Sequence, residues 1–497
     1  MAIGTFLASM DLTIVLASYA SIGSELNELQ STSWISTGYM LTLASFQHSM
    51  LTCPQTVVWQ NERYFWSHLL FAYVVFALGS LACGLARNMT ELIAAREFAG
   101  IGGGGMSTVV SIVMSDLIPV RSRGTWQGLI NIVWATGAAI GAPLGGILAN
   151  SIGWRWVFLM QTPLTMIALM SVSLALHLPK PEASHLRTRI QRIDFSGAFS
   201  LVTALLTLLI GLDRGGNIAW DDNFTVASLT AFAVSFILFV LVEVKIAKEP
   251  FAPMRVILNR GLIPSYLCNF FGVAAQICTL FYLSLYIQAV RNKSAADAGV
   301  ALIPSVVASV VASLSGGIII QATGKYYALT VLNYALMMCG NVLILLCAGT
   351  VAHSLAGLGR ELSGLAFMAF GNGGGITTTL VSLIAQAGPA DQAIATAVSY
   401  LFRSLGSVLG LSIGSTLFQV YLRRDLHRRL SGQDIEEIVR HVRESLGYID
   451  KLEPEARAIV RGSYEGGLRT TFGFCAALAG CAFLSSLFIQ EKSMVRR

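Results

Sequence analysis

Residues 124–150 read GTWQGLINIVWATGAAIGAPLGGILAN, and the spacing of small residues in this stretch decides how the rest of the chain is read. Gly137, Gly141 and Gly145 recur every four residues, which on a helix of 3.6 residues per turn makes a slowly drifting stripe without side chains. A neighbouring helix can approach bare backbone there. Pro143 and Gly146 fall in the same span. In water a mid-helix Pro costs roughly 3 kcal/mol and each Gly about 1 relative to Ala, so this helix would be a poor one in water. In a bilayer the backbone has no other hydrogen-bond partner, helix is imposed, and the same residues become a hinge and a close-packing face.

Composition extends this reading to the whole chain. Hydrophobic residues fill 54% of the 497 positions and charged residues 12%, about half the charged share of a soluble globular domain. Apolar runs of roughly 20 residues read as membrane spans near 2–22, 33–53, 67–86, 92–117, 124–149, 155–178, 195–212, 224–244, 262–290, 299–320, 326–349, 362–386, 391–422 and 468–490, fourteen in all. The ten-residue alternation of an outer-membrane barrel is absent. The net charge of +6 is unevenly spread: Arg121 and Arg123, Lys180 to Arg192, Lys245 to Arg260, and Lys492, Arg496 and Arg497 all fall on one side, which the positive-inside rule makes cytoplasmic together with both termini. The sequons at Asn88, Asn223 and Asn292 then fall on the other side as possible glycosylation sites. The first run carries Asp11 and is long enough to span, so no cleavable signal peptide is expected. The eight cysteines lie in or beside apolar runs without a C-x-x-C pair, and read as small core residues.

From spacing alone, the opening stripe fits any small-xxx-small packing face. The order Gly137-x-x-x-Gly141-x-Pro143-x-Gly145-Gly146 is more specific, and resembles the antiporter motif in the fifth span of drug:proton antiporters of the major facilitator superfamily. Asp11-Leu-Thr-Ile-Val resembles the first-span signature of the fourteen-span members, Arg96 with Gly100 and Gly102 to Gly105 their fourth-span Arg motif, and Gly153-Trp154-Arg155-Trp156-Val157-Phe158 the start of their sixth span, with Gln161 where Asn is common. Details such as ELIAAREFAGIGGGGMSTV look most similar to fungal multidrug exporters and vacuolar basic amino acid transporters. Residues 48–68 depart from the pattern, since the Gly- and Asp-containing latch loop of the family is missing there.

The resemblance implies an all-α major facilitator fold. Residues 1–178 would form one six-helix bundle, 179–260 a basic linker with two additional transmembrane helices acting as a spacer, and 261–497 a second bundle with a long non-cytoplasmic loop at 423–467. In that loop Ile435, Ile438, Val439 and Val442 fall at helical spacing among charges, the pattern of an amphipathic surface helix. Gly406, Gly410 and Gly414 repeat the four-residue stripe in the second half, and Thr323-Gly324-Lys325-Tyr326 looks like a shortened echo of the latch, as expected of two related bundles around a midplane site.

A carboxylate inside a span costs roughly 2.5–3.5 kcal/mol on insertion scales, so Asp11 is either the coupling group or a helix-packing contact. With Arg96, Gln276, Tyr282, Asn372 and Arg403 it makes up the candidate substrate and proton-coupling set. Asp116, Arg121 and Arg123 form a candidate cytoplasmic charge cluster. The glycine run of the fourth span lacks the Lys-Ser/Thr of a phosphate loop, and the seven histidines sit in loops or at span ends without metal-ligand spacing or a partnered nucleophile. Catalysis, metals and nucleic acid are therefore not expected. The expected partners are a small-molecule substrate, protons and the lipid bilayer, with the proton gradient in place of any cofactor and a monomer as the working unit. The motifs leave two substrates open, cationic or amphipathic drugs and metabolites on one hand and basic amino acids on the other.

Overall fold

Long apolar runs with no internal turn chemistry become long helices, and helices alone form the secondary structure of the described residues. The computed structural model describes residues 2–51, 62–117, 123–175, 195–246, 254–348, 355–430 and 435–492. The first half contains α1 (Ala2–Glu25), α2 (Ser33–Leu51), α3 (Glu62–Leu85), α4 (Met89–Leu117), α5 (Arg123–Ser151) and α6, which runs through Arg155–Leu159 and Gln161–Ala175. A central hairpin follows, α7 (Phe195–Asn217) and α8 (Asn223–Leu241). The second half contains α9 (Ile263–Ala289), α10 (Ala295–Ala301 and Ile303–Thr323) and α11 (Tyr327–Cys347). Helix α12 covers 355–387 and α13 covers 389–429, separated at Gly388, where φ of +72° and ψ of 165° break the helix in a conformation that favours glycine. The surface helix α14 (Ile435–Glu444) and the last long helix α15 (Pro454–Ser486) complete the chain.

Helix contacts repeat between the halves. In the first, α1 packs on α5, α2 and α3 on α4, and α3 on α6. In the second, α9 packs on α13, α10 and α11 on α12, and α11 on α15. The glycine stripes are the reason for the strongest of these pairings. A methyl group built on Gly137, Gly141 or Gly145 would lie 2.4, 2.6 and 2.2 Å from the carbonyl oxygens of Phe6, Met10 and Ile14, and one on Gly406 or Gly410 would lie 2.2 and 2.7 Å from those of Phe270 and Ala274. Backbone meets backbone in both pairs. The glycine run of α4 works likewise, with Gly100 against Tyr39 of α2 and Gly102 against Ala72 and Phe76 of α3.

Twelve of the described helices are long and apolar enough to cross a membrane. Helices α2 and α4 are not among the twelve: α4 carries Glu91, Arg96 and Glu97 near its start, and α2 is rich in Ser and Thr. Both are packed into the first bundle as intimately as their neighbours. The hairpin is lopsided. Helix α7 packs against α13 and α2, whereas α8 exposes Val234, Phe236, Ile237, Leu238 and Leu241, as a lipid-facing helix does.

The stretch 423–467, read from sequence as a loop, is mostly helix. Helix α13 continues to Arg429 and the last span begins at Pro454, because Arg and Glu on its outer turns face water while Val460 and Tyr464 stay buried. Helix α14 lies where the amphipathic pattern placed it, with Val439 and Val442 buried. Residues 52–61 of the latch region and the whole basic linker 179–194 lie outside the described residues.

Replacing Gly141 with Leu should force α1 and α5 apart and destabilise the protein by about 1–3 kcal/mol, read as a lower Tm in detergent. Gly317→Leu, at a position with nothing within 4 Å, is the control and should leave Tm in place. Equal Tm values for both variants would contradict the close α1–α5 contact.

Candidate functional site

Asp11 sits in the middle of α1 with no exposed surface, and both of its carboxylate oxygens accept from Arg96 Nη1 of α4, at 2.8 and 2.7 Å. Gln161 Nε2, from α6, donates to Asp11 Oδ1 at 3.1 Å and to the Val157 carbonyl at 3.2 Å. The Arg96 Nε donates to the Ile35 carbonyl of α2 at 3.2 Å, and its guanidinium lies 4.1 Å from the Tyr39 ring and 5.5 Å from that of Phe158. Four helices thus meet at one ion pair. Each lone charge would be prohibitively placed in hydrocarbon, and the pair is tolerable because every charged oxygen has a donor. Gln161 and Tyr39 were not among the sequence candidates. A glutamine in an apolar run was the available signal for the first; nothing in sequence marks the second.

The second half builds a different site. Arg403 of α13 donates from Nε to Asn269 Oδ1 at 3.0 Å and lies 5.2 Å from the Tyr400 ring. Asn269 of α9 is fully buried and is a hub: Thr379 Oγ1 donates to its Oδ1 at 3.3 Å, and its Nδ2 donates to Ser399 Oγ at 3.1 Å and to the Ser265 carbonyl at 2.9 Å. Beside it Asn372 of α12 donates through Nδ2 to Gln276 Oε1. Asn269 was missed in sequence, although an amide inside SYLCNFF was a legible sign. Glu97, half-buried against Gly38 of α2, was missed as well, and has no ion-pair partner among the described residues.

The six candidates therefore fall in three places. Asp11 and Arg96 are together; Gln276, Asn372 and Arg403 share the polar interior of the second half; Tyr282 stands apart at the seam between the halves. There Tyr282 packs edge-on to Phe281 and beside Phe418, lining a cavity of about 10 Å³, room for about one water. The seam is tied at the end that carries α14. Tyr19 stacks on Phe281 at 3.8 Å and donates to its carbonyl at 2.9 Å, Ser415 donates to Ser33 at 3.2 Å, Gln288 Nε2 to the Ala17 carbonyl at 3.4 Å, and the Leu446 amide to Ser24 Oγ at 3.0 Å. Arg443 of α14 adds bonds to Gln419 and Asn217, at 3.2 and 2.7 Å. Burial, with the neighbouring Arg423 charge, lowers its pKa from the usual arginine value.

The antiporter-motif residues occupy the same seam. Gly137, Gly141 and Gly145 face α1, whereas Gly146 turns the other way, where a methyl group would lie 2.2 Å from the Ala295 carbonyl of α10. Gly299 of α10 returns the contact against Ala142 and Pro143. One helix thus touches the core of its own bundle with one stripe and the other bundle with the next. Of the charge cluster, Arg121 lies outside the described residues, and the backbones of Asp116 and Arg123 stand at the end of α4 and the start of α5. Asn88, Asn223 and Asn292 all lie at the α14 end, Asn88 accepting from the Glu91 amide at 2.8 Å.

The family model described as Major Facilitator Superfamily matches residues 1–411. The chain belongs to the Major Facilitator Superfamily. It is 37% identical over 494 residues to the vacuolar membrane amino acid uptake transporter fnx2 of Schizosaccharomyces pombe, covering 99% of this chain and 83% of that one. It is 32% identical to the multidrug resistance protein fnx1 of the same organism, covering 98% and 91%. Among solved structures, a bacterial homologue of the human lysosomal transporter Spinster, inward-facing and unoccupied, superposes with a TM-score of 0.63 at 15% identity, covering 98% and 96%, which shows the shared fold. This Major Facilitator protein is accordingly a multi-pass membrane transporter, of a family whose members carry small molecules.

Removing one member of the buried pair should be worse than removing both. Arg96→Leu leaves Asp11 uncompensated and should cost about 3–5 kcal/mol in thermal denaturation, whereas Asp11→Asn with Arg96→Gln should recover much of the loss. Additive losses in the double variant would show that the two side chains do not interact.

Proposed function

We propose that this transporter is a fourteen-span, proton-coupled antiporter that moves small cationic or amphipathic molecules out of the cytoplasm, with Asp11 as the coupling carboxylate. The observation that carries the reading is the Asp11–Arg96–Gln161 cluster, a titratable carboxylate with its charge partner at the meeting point of four helices. Protonating Asp11 removes one charge of the pair and frees the Arg96 guanidinium to settle on the Ile35 carbonyl and the Tyr39 face. A proton thereby changes how α1, α4 and α6 are held together. Helix α1 also carries Tyr19, which ties the halves at the α14 end, so one helix links Asp11 to the contact between the halves.

The packing of α2 and α4 inside the first bundle supports counting them with the twelve apolar helices as spans, with α7 and α8 as the pair beyond two six-helix bundles. The Lys- and Arg-rich segments support cytoplasmic termini, which put α14 and the three sequons on the lumenal or extracellular face. Both bundles come from one chain, so a monomer suffices. A second reading, a vacuolar basic amino acid:proton antiporter, is favoured by the 37% identity with an amino acid uptake transporter over nearly the full chain.

The test is uptake into sealed vesicles of cytoplasmic-side-out orientation with an acidic lumen, comparing labelled lysine, arginine and histidine with a lipophilic cationic dye. Uptake should collapse when the pH gradient is dissipated, and Asp11→Asn should reduce gradient-driven uptake at least about tenfold. Full gradient-driven uptake by that variant would remove Asp11 from the coupling step.

A further inference from the structure

Arg96 in the first half and Arg291 in the second are buried against carboxylates, Asp11 and Glu361, but Arg403 is not neutralised in this way. Arg96 is fully buried against Asp11, whereas Arg403 is half-buried and has no carboxylate partner among the described residues. Among the described residues its guanidinium makes one hydrogen bond, from Nε to Asn269, which leaves both Nη groups unspent. Asn269 is saturated by Thr379, Ser399 and the Ser265 carbonyl, so it aims the guanidinium without offering it charge. Tyr400 flanks it and adds no negative group. An unpaired cation within a span is costly, and a charged group so placed is a functional-site hypothesis by default.

A second polar atom waits nearby. Asn372 Oδ1 is buried without a hydrogen-bond partner, because the amide of that side chain is committed to Gln276. A methyl group built on Gly272 would sit 2.8 Å from this oxygen, and Gly272 is one helical turn from Asn269, the residue that aims Arg403. The bare backbone of Gly272 lets the Asn372 side chain pack directly against α9, so its unpartnered oxygen and Arg403 meet the same stretch of that helix. A cation-binding carboxylate at one point and a guanidinium at the other would suit a salt of any kind; here the pair is a guanidinium and a neutral acceptor, the complement of a carboxylate and an adjacent ammonium.

We propose that Arg403 docks the carboxylate of the transported molecule and Asn372 Oδ1 accepts from its ammonium, so that the second bundle carries an α-amino acid subsite. The inference rests on the transport reading above and narrows its substrate class: a purely cationic lipophile meets an uncompensated positive charge at Arg403, while an amino acid brings its own counter-charge.

Equilibrium binding of labelled L-lysine to the purified full-length protein tests this without any gradient. Lysine should bind, and cadaverine, which lacks the carboxylate, and lysine methyl ester, which masks it, should compete about ten- to hundredfold more weakly, the loss expected for one charge-assisted contact. Arg403→Gln should weaken lysine to the level of cadaverine, with Arg403→Lys recovering part of the difference. Absence of lysine binding, or cadaverine competing as well as lysine on the unaltered protein, would overturn the subsite whatever the variants do. Lysine binding with this preference but without gradient-driven uptake would leave the subsite standing and sink the antiport reading instead.

Discussion

Hydrocarbon offers a polar group no partner, so a hydrogen bond or charge not answered from within the chain is costly. That constraint explains why helices account for the described structure and why side-chain polarity is concentrated at a few junctions. The Asp11 carboxylate is met by Arg96 and Gln161 from two other helices, and the Arg96 Nε reaches a fourth through the Ile35 carbonyl. In the second half Asn269 is met by Thr379 of α12 and by Ser399 and the Arg403 guanidinium of α13.

Without a hydrophobic drive between helices, close packing depends on shape, and glycine supplies it. The α1–α5 and α9–α13 pairs are the same solution used twice, carbonyl oxygens of one helix lying over the glycine stripe of the other. The duplication in architecture makes the chemical difference between the halves more telling. Each half encloses a buried ion pair, Asp11–Arg96 and Arg291–Glu361, and the second half in addition holds Arg403 with no carboxylate partner among the described residues. A molecule bound between them would be oriented by that asymmetry.

The seam between the halves is held by aromatic stacking and a few neutral hydrogen bonds, among them Tyr19 on Phe281 and Ser33 with Ser415. Neutral contacts of this kind contribute modestly, about 0.5–1.5 kcal/mol net for each hydrogen bond. Helix α14 lies across this end, and the glycine-rich meeting of α5 with α10 lets the two bundles share backbone contact.

Composition and run length were enough to read a helical membrane protein from the chain, because burying 20-residue apolar segments in a bilayer leaves helix as the single local solution. The stripes at Gly137 and Gly406 were legible for the same reason: a four-residue period acts along one helix, and its consequence is local. The extent of α13 and α15 was not, since charged turns that project into water keep a helical backbone that hydropathy alone does not mark. Nor were the partners. Asp11 and Arg96 are 85 positions apart, Arg403 and Asn269 134, and whether a buried charge is answered or left open depends on which helices fold side by side. Sequence determined that Asp11, Arg96 and Arg403 had to be accounted for; tertiary packing alone decided that the first two neutralise each other and the third does not, because distance between helices, not along the chain, sets the energy of a charge in a low-dielectric interior.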